Sequence, residues 1–92
     1  MKNEVFNKLA ALGFAQAYAK NASGVFMIDD CVANGTVRVV CDEEDNGESC
    51  NWTIIKFDSP LFRSVLFDVK VSNGATASDV VALVSSVSSL MN

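Results

Sequence analysis

The chain contains no histidine, only one proline and no long run of apolar residues. Histidine is the side chain that most often serves as a general base or metal ligand near neutral pH, so its absence disfavours both kinds of site. No segment approaches the roughly 18 consecutive apolar residues that a membrane-spanning helix needs. Half of the 92 residues are hydrophobic, which is too many for a disordered chain. We therefore expect a single globular domain over residues 1–92.

Cysteine is present in an odd number, at Cys31, Cys41 and Cys50. An odd count does not make a complete disulfide framework, and without histidine or a C-x-x-C pair we expect no metal site. Cys41 and Cys50 flank one acidic turn, and the sequence leaves open whether they pair. Glu4 stands where a signal peptide would have its apolar stretch, so we expect no secretory leader and a cytoplasmic location.

Acidic side chains outnumber basic ones by 11 to 7, which gives a formal net charge of −4. Nucleic acids and anionic membranes repel such a chain, so we expect neither as a direct partner. Five carboxylates crowd into a predicted turn; they belong to Asp42, Glu43, Glu44, Asp45 and Glu48, and we call them the acidic tip. A solvated turn explains this cluster, and so does recognition of a basic groove on a partner.

The two ends of the chain have helical patterns. Val5, Phe6, Leu9 and Leu12 recur at helical spacing over residues 3–12, and Gly13 can end that helix. Residues 76–91 form the second predicted helix, which starts with Thr76 and Asp79 as a capping box. Its apolar stripe consists of Val80, Leu83, Val84, Val87, Leu90 and Met91. The alanine-rich segment 14–20 suits either a helix or a strand, and we favour a helix.

The middle of the chain has the composition of β-strands. Four strands are predicted, at residues 24–32, 37–43, 51–58 and 62–72, and Asn34-Gly35 is a typical two-residue hairpin turn. The simplest arrangement is an α+β fold, a four-stranded antiparallel meander with the N- and C-terminal helices packed on one face.

The hairpin turn at Asn34-Gly35 predicts which residues share a face. It places Cys31 opposite Arg38. One face then suits the core; it carries Phe26, Ile28, Val32, Val37, Val39, Cys41, Thr53, Ile55, Phe57, Val65, Phe67, Val69 and Val71. The other face is expected to be polar, yet it holds large apolar side chains, namely Met27, Val40, Trp52, Ile54, Phe62 and Leu66. That predicted apolar face is either an interface or a surface covered by segment 14–20.

No catalytic constellation is present. The chain lacks a glycine-rich phosphate loop and a G-x-S-x-G motif, and Asp29 and Asp30 point to opposite faces of a strand. We therefore expect a protein that is not an enzyme and needs no cofactor.

Size and charge together favour a binding protein. We expect an inhibitor or adaptor that occupies a partner protein's surface, through the acidic tip, the predicted apolar face or both. In size and charge alone the chain is similar to phage-encoded anti-CRISPR and DNA-mimic inhibitors, which would imply a partner that handles nucleic acid and has a basic groove. The alternative is a self-assembling structural subunit, in the simplest case a homodimer that pairs through the apolar face.

Overall fold

The computed structural model describes residues 2–17, 19–20, 26–27, 31–43, 50–61, 64–71 and 74–90. The elements are, in chain order, α1 (Lys2–Ala11), β1 (Ala15–Gln16), β2 (Ala19–Lys20), β3 (Phe26–Met27), β4 (Cys31–Asn34), β5 (Val37–Glu43), β6 (Cys50–Phe57), β7 (Val65–Val71) and α2 (Ala77–Ser88).

The main sheet has five strands in the order β1-β4-β5-β6-β7, and each neighbouring pair is antiparallel. β2 and β3 pair in a separate two-stranded sheet. One helix precedes the strands and the other follows them, and residues of both helices join one face of the main sheet in a common core. The predicted α+β class is therefore confirmed, whereas the predicted number of four strands is wrong by one.

The additional strand comes from segment 14–20, for which we favoured a helix. α1 ends before Gly13, whose φ of 97° is a conformation that favours glycine. Phe14 is then buried, and β1 runs antiparallel to β4. The helical preference of alanine is worth less than about 1 kcal/mol per residue, so pairing with β4 outweighs it.

The β4–β5 hairpin turns one residue later than the sequence predicts. Asn34 pairs with Val37, so the two-residue loop is Gly35-Thr36 and Cys31 lies opposite Val40 rather than Arg38. The Asn34 side chain donates a hydrogen bond to the Leu12 carbonyl oxygen at 3.3 Å, which ties the strand end to the end of α1. Each β4 residue lies opposite a β5 residue two positions further along than predicted. Because side chains alternate between the two faces, a shift of two leaves every side chain of this hairpin on its predicted face.

The two faces of β6 are the reverse of the prediction. Ile54 lies opposite Val39 and Trp52 lies opposite Cys41, so both side chains share the face that packs against the helices. The residues predicted for that face, Thr53, Ile55 and Phe57, therefore lie on the other side. Each face of β6 carries large apolar side chains, Trp52 and Ile54 on one and Ile55 and Phe57 on the other, so the alternation of its residues could not distinguish them.

The core lies between this sheet face and the two helices. Its largest fully buried side chains include Trp52, Leu9 and Ile54. The Trp52 and Phe6 rings meet edge to face, with centroids 5.4 Å apart and planes at 88°. From α2 the buried residues are Ala77, Val80, Val84 and Val87, which include three of the predicted stripe. Leu90 lies beyond the helix and is 51% exposed, and Met91 lies outside the described residues.

The start of α2 has the capping box that the sequence predicts. The Asp79 amide donates to the Thr76 hydroxyl oxygen at 3.1 Å, and the Thr76 amide donates to the Asp79 carboxylate at 3.1 Å. Each bond satisfies a backbone or capping group that would otherwise depend on water.

We expect Thr76→Ala to lower the free energy of unfolding by about 1 kcal/mol, because the first turn of α2 loses its hydroxyl acceptor. Urea unfolding followed by circular dichroism measures this change. Thr76→Ser keeps the hydroxyl and serves as the control, with stability close to that of the original chain. Equal losses in the two variants would contradict a capping role.

Candidate functional site

The predicted apolar face does not form one surface. Trp52 is 1% exposed and Ile54 is fully buried, so both are core residues and cannot contact a partner. Val40 lies half-buried on the opposite face of the sheet. The grouping of these residues was wrong because it assigned β6 to the wrong face.

The remaining residues of that predicted face have different outcomes. Leu66 lies on β7 and is 50% exposed, as a contact residue requires. Met27 belongs to the separate two-stranded sheet, where the structure describes its backbone alone. Phe62 lies outside the described residues.

The acidic tip is described only at its first two residues. Asp42 and Glu43 end β5, where they pair with Asn51 and Cys50 of β6. Glu44, Asp45 and Glu48 lie outside the described residues. The role of the acidic tip in recognition therefore stays a prediction.

A different apolar surface lies at the start of β7, where the sheet ends. Leu61 is 70% exposed, Val65 57%, Leu66 50% and Phe67 38%. We call these four residues the β7 patch. They lie in the turn before β7 and in its first three residues, so exposed large apolar side chains concentrate at this end of the strand. Large apolar side chains exposed together in one part of a protein often mark a contact surface.

The sequence contains a signal for this patch in the consecutive apolar residues at the start of β7. Val65, Leu66 and Phe67 are consecutive, and successive side chains of a strand point to opposite faces. A one-sided sheet cannot bury all three, so at least one had to be exposed. The sequence predicts Val65 and Phe67 for the core face, together with Val69 and Val71. Val69 and Val71 do pack against the core, whereas Val65 pairs with Phe57 of the other face and is exposed.

Local geometry explains why the patch lies at a bend in the strand. Lys56 pairs with Phe67, but the next residue, Phe57, pairs with Val65, so Leu66 is an extra residue in β7. This is a β-bulge, which bends the strand and disrupts its ladder locally. Before it, the Ser64 amide donates to the Asp58 carboxylate at 3.1 Å and shapes the preceding turn.

Two charged side chains of the same region have structural contacts. Lys56 is 4% exposed, and its ammonium group donates to the Thr36 hydroxyl oxygen at 2.7 Å, which joins β6 to the β4–β5 loop. The Arg38 guanidinium lies over the Phe57 ring, 5.5 Å from its centroid. This cation–π contact covers the Phe57 ring, which is 6% exposed. The charged groups of Lys56 and Arg38 are thus already engaged within the protein.

An open cleft of about 290 Å³ lies between the C-terminal end of α2, the segment that follows α1 and the end of β4. Its lining residues are Leu12, Phe14, Asn34, Ser85, Ser88 and Ser89. None of these side chains ionises near neutral pH, so the cleft offers no acid–base pair. The cleft is also at the small end of the range for ligand pockets. The β7 patch is therefore the better candidate for a functional surface.

Comparison with known proteins identifies no relative. No protein-family model, no curated protein and no solved structure matches the chain. Neither described helix has the length and apolar character of a helix that crosses a membrane.

Proposed function

We propose that this protein acts by binding another protein, as an inhibitor or adaptor that occupies its partner's surface without catalysing a reaction. The observation that supports this proposal is the exposure of the β7 patch. Leu61, at 70% exposure, and Leu66, at 50%, present branched aliphatic side chains to solvent although the same chain has a buried hydrophobic core. Burial of such side chains in a complex is favourable by about 25 cal/mol per Å² of apolar area.

The setting of the patch also suits protein binding. Apolar residues surrounded by charged ones are typical of contact surfaces, since the polar rim remains hydrated while the centre is desolvated. Asp58 lies before the patch and Asp68 follows it, both exposed. The partner we expect has an apolar depression that accepts the two leucines and polar groups around it.

The acidic tip extends the proposal to the partner's charge. A chain with a net charge of −4 is attracted to a basic surface, and a nucleic-acid-handling protein has such a groove. In this form of the proposal the tip directs the encounter and the β7 patch supplies the lasting contact. Amide substitution of Asp42, Glu43, Glu44 and Asp45 then weakens capture of the partner and reduces its dependence on salt.

We expect Leu66→Glu to weaken binding of the partner by about 30-fold or more, because a central apolar contact contributes about 2 kcal/mol and a carboxylate opposes its burial. The measurement is affinity capture from source-cell lysate with mass spectrometry, in parallel for the original chain and its variants. Leu61→Glu tests the patch at a second position, and thermal unfolding verifies that each variant is folded.

The matched control is Leu12→Glu. Leu12 is 51% exposed, nearly the same as Leu66, but it lies beside Asn34 of β4. β5 and β6 separate β4 from β7, a distance of roughly 14 Å at the usual strand spacing. A protein held by the original chain and by Leu12→Glu, and lost with both patch variants, supports the proposal. Undiminished capture by Leu61→Glu and Leu66→Glu would refute it.

A further inference from the structure

We propose that β7 also pairs edge to edge with β7 of a second copy of this chain, antiparallel, with Val69 on the two-fold axis. This inference does not depend on the binding of another protein. It rests on the edge of the strand with which no other described strand pairs, the position of its bulge and the order of its charges.

The two edges of the main sheet differ in length. β1 has two residues, whereas β7 has seven. Within the described part of the chain, β6 is the single strand that pairs with β7. A long edge strand presents unpaired amide and carbonyl groups that another strand can bind. The exposure of Val65, Leu66 and Phe67 is consistent with an uncovered edge.

The bulge at Leu66 limits the regular part of β7 to residues 67–71. These five residues pair with β6 without interruption, from Phe67 opposite Lys56 to Val71 opposite Trp52. A second strand can continue the ladder along this part, because it is extended and regular. Its central residue is Val69.

Symmetry restricts the possible registers. A two-fold axis perpendicular to the sheet relates the two antiparallel edge strands and leaves every side chain on its own face. Directly opposite residues share a face, so the axis must pass between the two copies of one residue. An axis at Asp68 would place this carboxylate opposite its own copy, and an axis at Lys70 would do the same with the ammonium group. Like charges directly opposite each other are destabilising. An axis at Phe67 would extend the pairing into the bulge.

The register centred on Val69 makes every facing pair favourable. Asp68 of each copy faces Lys70 of the other, so the dimer gains two opposite-charge pairs. Phe67 of each copy faces Val71 of the other on the helix side of the sheet. Both Asp68 and Lys70 are exposed, and neither has an ion pair or a side-chain hydrogen bond with the described part of its own chain.

The resulting dimer has a simple architecture. The two five-stranded sheets join into one continuous sheet, and all four helices lie on the same face because the axis is perpendicular to it. Val69 and Val71 are half-buried in one chain, and apposition of the two edges covers them further. An interface of one strand from each copy is smaller than that of a permanent dimer. We therefore expect reversible, concentration-dependent association.

Sedimentation equilibrium of the whole chain, under reducing conditions and from about 10 to about 500 µM, tests this association. We expect the apparent mass to rise with concentration from 9.8 kDa toward twice that value. Lys70→Asp places carboxylates opposite each other at two symmetric positions and weakens the dimer about tenfold or more. Asp68→Lys has the corresponding effect with ammonium groups.

The double variant with Asp68→Lys and Lys70→Asp gives the decisive result. It restores opposite charges across the Val69 axis, so dimerisation returns to near that of the original chain. In a register centred on residue 68 or 70 the same swap would restore nothing. Both positions are exposed, and circular dichroism verifies the fold of each variant. A monomer at every concentration, single variants that dimerise as the original does, or a double variant that stays monomeric would each overturn the proposal.

Discussion

Replacement of Trp52 by alanine is expected to lower the free energy of unfolding by about 3–5 kcal/mol, the usual loss for a large buried aromatic side chain. Trp52 is 1% exposed and packs edge to face against Phe6 of α1. The substitution leaves a cavity between the sheet and α1 and removes this aromatic pair. A small domain has a free energy of unfolding of about 5–15 kcal/mol, so this substitution removes a large part of it.

Urea unfolding followed by circular dichroism measures this loss, since the variant has no tryptophan to report by fluorescence. The control is Thr53→Ala. Thr53 is the next residue of β6, half-buried on the other face, and its substitution should cost less than about 1 kcal/mol. Similar small losses in both variants would place Trp52 at the surface, as the sequence alone suggested, and would contradict the observed register.

Introduction of a carboxylate at Val84 is expected to destabilise the protein by at least about 4 kcal/mol. Val84 is fully buried on α2, and Val80 and Val87 lie next to it on the same apolar stripe. Val84→Asp would bury a charge among aliphatic side chains, and the last turn of α2 has no basic residue to pair with it. We expect a chain that has lost its cooperative unfolding transition.

Ser85→Asp is the matched control for this experiment. It adds the same charge one residue later on the same helix, at an exposed position. Any effect of the charge on helix stability is therefore common to both variants. Thermal unfolding monitored by circular dichroism distinguishes the two variants, and Ser85→Asp should retain a cooperative transition near that of the original chain. A cooperative transition in Val84→Asp would show that α2 does not pack on the sheet through this stripe.

Both experiments test assignments that the sequence supported to different degrees. The stripe of α2 could be predicted because residues three or four positions apart on a helix share a face, whatever the helix packs against. Its capping box could be predicted because Thr76 and Asp79 bond to backbone groups only three residues away. The position of Trp52 could not be predicted in this way, since it depends on which residue of β5 lies opposite it.

The candidate surface was predicted only at one residue. Leu66 was included in the predicted apolar face and is exposed, but Trp52 and Ile54 were assigned to that face and are core. The β7 patch depends on a bulge and on the absence of a strand beyond β7 in the described sheet, and neither feature follows from local sequence. Consecutive apolar residues at Val65–Phe67 were the available signal.

The sequence by itself determined the α+β class, the terminal helices, the cap of α2 and the division of the β4–β5 hairpin into two faces. These features follow from hydrogen bonds and side-chain periods that span a few residues. Only the tertiary structure decided the face of β6, the strand at Ala15–Gln16 and the exposure of β7. Both faces of β6 carry large apolar side chains, so its local pattern is ambiguous. The helices resolve this ambiguity, because Trp52 and Ile54 pack against them and lose their contact with water.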